Sequence, residues 1–91
     1  MLSGTEQKQI QATINQMSAE ERTTLMTDAK RALQNAGAAM DVSVLTREQR
    51  HALERMVEIV VRIEGLELGK GWWFRTKRRA QIGAALYRHS P

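Results

Sequence analysis

Cysteine is missing from this chain of 91 residues, so disulfides and thiolate metal sites are excluded. Histidine occurs only at His51 and His89, far apart in sequence, and two such residues alone do not make a well-formed zinc site. Proline occurs once, at Pro91, so no earlier helix is interrupted by one. Alternating apolar and polar runs are lacking, and only "DVSVL" looks extended, which leaves little room for strands. No apolar run approaches the roughly 18–20 residues that a membrane span needs. The opening "MLSGTEQKQIQ" has neither the basic start nor the apolar stretch of a secretory leader. A cytoplasmic location is the expectation, and the lack of cysteine fits a reducing compartment.

Two further absences are regional. There is no aromatic residue before Trp72 and no acidic residue after Glu67. The segment 70–91 therefore holds Trp72, Trp73, Phe74 and Tyr87 together with Lys70, Arg75, Lys77, Arg78, Arg79 and Arg88. The remaining body keeps eight basic against ten acidic side chains, so a slightly acidic body carries a strongly basic end.

The length suits one domain, 1–91. A domain of this size hides only about 60–65 % of its unfolded surface, and self-association is the supplement still open to it. The expectation is an all-α fold: a small bundle of about four helices, dimeric through the third or the fourth.

The helices are expected at 5–17, 18–36, 46–66 and 72–88. In the first, Ile10, Ile14 and Met17 form one narrow stripe, which leaves it the least anchored element. "SAEE" from Ser18 and "TREQ" from Thr46 read as capping boxes. Leu25, Ala29, Ala32, Leu33 and Ala36 give the second helix one apolar face, and Gly37 fits a left-handed cap after it. The third helix spreads its apolar residues, Leu53 to Leu66, over roughly 220° at 100° per residue, more than a surface helix needs. It is the central element, with Glu54, Arg55, Glu58 and Arg62 as its wet strip.

"GLELGKG" follows as a flexible joint. It is not a phosphate loop: the glycine spacing is short, Gly71 stands where Ser or Thr is required, and a helix precedes it. On the fourth helix Trp72, Trp73, Thr76, Ala80, Gly83, Ala84 and Tyr87 fall within roughly 120°, a docking stripe. The arginines then point outward, with Phe74 projecting between Lys77 and Arg78.

Several cations in one footprint, without competing acids, are what a phosphate backbone requires. The expectation is a small nucleic-acid-binding or accessory regulatory protein. Its contacts are Lys70, Arg75, Lys77, Arg78, Arg79 and Arg88, with Phe74 and Trp72 adding stacking. The alternative is an adaptor or inhibitor that docks the same helix on an acidic groove of a larger protein, where Trp and Arg dominate interface energetics. A helix-turn-helix is disfavoured by a connector of about eight residues and a strongly apolar third helix. No catalytic constellation is visible, so the chain is not expected to be an enzyme. No cofactor, metal, membrane or small-molecule substrate is expected either.

Overall fold

The computed structural model of the chain describes residues 2–39 and 45–87. Among these residues there are four α-helices and no strand: α1 Gly4–Gln16, α2 Ala19–Ala39, α3 Arg47–Leu68 and α4 Trp72–Tyr87. The all-helical bundle agrees with the reading of the sequence. Most of "DVSVL" lies outside the described residues.

Each of the first three helix starts is held by a short side chain in the way its sequence indicates. At α2 the Glu21 amide donates to Ser18 Oγ (3.1 Å) and the Ser18 amide donates to Glu21 Oε1 (2.9 Å). Thr46 and Gln49 repeat this reciprocal arrangement at α3. At α1 the Glu6 amide donates to Ser3 Oγ (3.1 Å), so "SGTE" also carried a start signal.

The ends differ from expectation. Gly37 does not cap α2; the helix continues to Ala39, and among the described glycines only Gly69 has a positive φ. A Cβ at Gly37 would lie 3.9 Å from Leu86 Cδ1, so this glycine stands where α4 approaches α2. The left-handed residue is Gly69, with φ 66° and ψ 32°, at the end of α3. There the Lys70 amide donates to Gly65 O (2.8 Å) and the Gly69 amide to Leu66 O (3.3 Å), the paired closure of a Schellman motif. The expected flexible joint is thus a tight, hydrogen-bonded turn that folds α4 back along α3.

α3 is the centre of the bundle and packs against α1, α2 and α4. Its Val60, Val61 and Ile63 are at most 1 % exposed. One part of the core joins Leu2, Ile10 and Ile14 to Ile63, with Leu25, Met26 and Ile59 against them. The other joins Ala36, Leu53 and Leu86, with Leu33 and Leu45 alongside. The covering of α3 on several sides comes from its own chain.

α1 packs mainly against α3, in keeping with its narrow apolar stripe, while α2 and α4 also touch each other. Besides Ile10 and Ile14 it buries Leu2 just ahead of it, and its polar side meets α3. His51 Nε2 and Glu6 Oε2 lie 2.7 Å apart, and Arg62 donates to Gln11 Oε1 (2.9 Å) and Gln7 Oε1 (3.3 Å). One expectation is corrected here: the charged strip of α3 is not wet throughout, because Glu58 is only 2 % exposed. Arg79 of α4 and Arg62 of α3 itself hold its carboxylate, and Gln7 and Gln11 of α1 accept from Arg62.

Candidate functional site

The orientation of α4 decides which of its residues are available to a partner. The sequence reading seated it on Trp72, Trp73, Ala80 and Ala84. The structure turns it the other way: Trp72 is 64 % and Trp73 70 % exposed, and Ala80 and Ala84 are exposed too. Leu86 is buried, and Phe74, Arg75, Arg78, Arg79 and Ile82 are half-buried. The Tyr87 side chain and Arg88 lie outside what is described.

The reason for this orientation lies on α3. Arg79 places Nε and Nη2 each 2.8 Å from the two carboxylate oxygens of Glu58, a bidentate pair. Arg62 Nε donates to Glu58 Oε1 at 2.7 Å, so one buried carboxylate holds two guanidiniums. One turn nearer the hairpin, Arg78 Nε donates to Glu64 Oε1 at 3.1 Å. Arginine stems can line a partly buried seam when their heads are paired. Apolarity around the helical wheel does not reveal such a pairing, because the carboxylates stand on another helix. Gly65 assists at the tight end. A Cβ there would meet Lys70 O at 3.4 Å, Arg75 Cγ at 3.5 Å and Phe74 Cδ1 at 3.7 Å, so its absence lets the start of α4 lie close.

Charge in this seam is unbalanced toward the positive. Burial pushes the Glu58 carboxyl up, but the hydrogen bonds and charges of Arg79 and Arg62 outweigh it and hold the group below its ordinary value. Arg75 is lowered first by burial and then by the nearby Arg62 and Arg79, with Glu58 opposing.

The outer side of the same hairpin is different in kind. Trp72 and Trp73 lean together with ring centroids 5.5 Å apart and planes tilted by 33°. Leu66 and Leu68, in the last turn of α3, are also 40 % and 60 % exposed. Lys70, two residues before Trp72, and Lys77, one helical turn after Trp73, are exposed. Among the described residues neither lysine is paired with a carboxylate.

Of the residues singled out from sequence, Lys70, Trp72 and Lys77 therefore come together at one exposed corner. Arg78 and Arg79 face α3 in ion pairs. Phe74 and Arg75 pack in the seam, so the outward projection expected for Phe74 is not found. Trp73, assigned to the core from sequence, belongs to the corner. A signal for this was present: Glu64 and Arg78 stand at comparable distances before and after the turn at Gly69–Gly71, where two antiparallel helices bring them face to face. No family model, curated protein or solved structure matches the chain, so the chemistry of this corner is what a functional reading rests on.

Proposed function

We propose that the chain is a small nucleic-acid-binding accessory or regulatory protein. It meets its anionic partner at the α3–α4 corner and carries out no chemistry on it. The observation that carries this reading is the exposed Trp72–Trp73 pair between Lys70 and Lys77, in a stretch with no acidic residue after Glu67. Flat aromatic surface beside unpaired cations suits bases and phosphates together. Arg78 and Arg79 contribute mainly by holding α4 in the orientation that exposes the indoles.

A titration with nucleic acids across salt concentration tests the reading. With two free lysines contributing, log K should fall with log salt at a slope of about 1.4–1.8. Reversing both charges, Lys70→Glu with Lys77→Glu, should weaken binding at least tenfold. Absence of binding at low salt would remove the proposal.

The second reading is docking on an acidic groove of another protein. Leu66 and Leu68 favour it, because they add aliphatic surface that a protein can bury and a phosphate backbone cannot. A salt-resistant complex with an acidic protein, lost on replacing Leu68 and Trp73 by Ala, would support it over the first.

Self-association through the fourth helix would use its outer side, where Trp73 is exposed. Lys77 lies on that side, so two copies packed there would bring like charges together. Nucleic acid and a second copy then compete for one surface. Light scattering should show any dimer dissociating as oligonucleotide is added; a dimer that persists in the complex would place its interface elsewhere.

A further inference from the structure

We propose that the nucleic acid recognised at the α3–α4 corner is single-stranded, with unpaired bases stacking on Trp72 and Trp73 while Lys70 and Lys77 hold the adjoining phosphates. The inference rests on the nucleic-acid reading above and narrows it to one class of ligand.

Three observations lead there. The first is the aromatic surface itself. Both indoles are nearly two-thirds exposed or more and lie side by side where α4 begins. A base offers its flat face to such a surface only when it is not already stacked within a duplex. The second is the shortage of charge. Arg79 is committed to Glu58, Arg78 to Glu64, and Arg75 is half-buried, which leaves Lys70 and Lys77 as the exposed cations of the corner among the described residues. Duplex binders gain most of their sequence-independent affinity by neutralising many phosphates, on the order of 6–10 in strong cases. Two lysines fall far short of that, so stacking has to supply the difference.

The third observation is the rest of the outer side of α4. Beyond Lys77 it exposes Ala80, Gln81, Ala84 and Ala85. A helix that reads a major groove presents several side chains able to hydrogen-bond base edges. Here Gln81 is the one such group among those four residues, so α4 is poorly furnished as a duplex reader. Stacking, by contrast, tolerates any base and asks for no such pattern.

The chain offers a direct readout, because Trp72 and Trp73 are its two tryptophans. All tryptophan emission therefore comes from the proposed platform. The experiment titrates the whole chain with oligothymidylate, with oligouridylate and with a DNA duplex of the same length. It follows tryptophan emission and the anisotropy of labelled nucleic acid. Single strands are expected to bind and to quench the emission; the duplex is expected to bind at least tenfold more weakly. Trp73→Ala should weaken single-strand binding by about tenfold and leave the salt slope nearly unchanged. Both indoles are exposed, so this variant should keep its helix content, which circular dichroism checks.

Duplex binding as tight as that of the single strands would overturn the inference and leave the broader reading standing. So would single-strand binding without quenching. Failure of all three ligands to bind at low salt would overturn both. A preference for oligouridylate over oligothymidylate would identify RNA as the source of the single strand, and the reverse preference DNA.

Discussion

On its inner side α4 presents Arg78 and Arg79 to Glu64 and Glu58 of α3, at 3.1 and 2.8 Å. On its outer side, one residue away in sequence, it presents Lys77 to water beside an exposed Trp73. The two sides draw on one basic run, yet the inner cations are structural and the outer one is available. What separates them is the presence of a carboxylate across the helix–helix seam. A basic run read along the sequence therefore overstates the charge offered to a partner, because part of it is neutralised by acids that are remote in sequence.

The strongest way to break this contrast is at Glu58. Glu58→Gln leaves Arg62 and Arg79 partly buried without their counter-charge, next to Arg75. Removing one partner of a buried ionic cluster costs about 3–5 kcal/mol, a large share of the roughly 5–15 kcal/mol that holds a small domain together. Urea unfolding should show a loss of that size.

Acid attacks the same point without mutation. The folded Glu58 carboxyl lies below its ordinary value. Its contribution is complete above the unfolded carboxylate value of about 4.3 and disappears as the pH falls through the lower folded value. Stability followed by urea unfolding should therefore be flat in Glu58's contribution from neutral pH to about 5 and drop below that. The drop should be smaller in Glu58→Gln than in the parent chain.

Adjacent substitutions sharpen the comparison at smaller effect. Arg78→Ala breaks a half-exposed pair with Glu64 and should cost about 0.5–1 kcal/mol, while leaving the salt dependence of nucleic-acid binding unchanged. Lys77→Ala should do the opposite, changing stability by less than about 0.5 kcal/mol and lowering the single-strand salt slope by about 0.7. Equal effects of the two on binding would show that Arg78 leaves Glu64 for the ligand.

A change of opposite sign, with no effect on binding, is expected at Gly83. This glycine lies within α4, and a Cβ there would meet nothing within 4 Å. Gly83→Ala should stabilise the chain by about 0.5–1 kcal/mol through helix propensity, measured by thermal unfolding, with binding at the outer corner unaltered.

The legible part of this protein is its local part. Capping at Ser18 and Thr46 depends on residues three apart, so "SAEE" and "TREQ" gave two helix starts outright. The broad apolar arc of α3 announced a central helix, since so many apolar residues on one helix need cover on several sides. The concentration of cations and aromatics after Glu67 pointed to the region that holds the corner. Gly37 was not legible in this way, because a glycine after an apolar run is as consistent with close approach of another helix as with a cap. Leu86, which approaches it, stands on a different helix.

Sequence by itself determined the four helices, the centrality of α3 and the separation of an acidic body from a basic, aromatic end. These follow from spacing and composition within single segments. Tertiary structure alone decided which side of α4 faces inward, that Glu58 is buried rather than wet, and that Trp72 and Trp73 are displayed rather than packed. Those outcomes turn on pairs such as Glu58 with Arg79, which the chain brings together only after the turn at Gly69 folds α4 back onto α3. The free energy of burying a carboxylate depends on that encounter, and no single helix contains it.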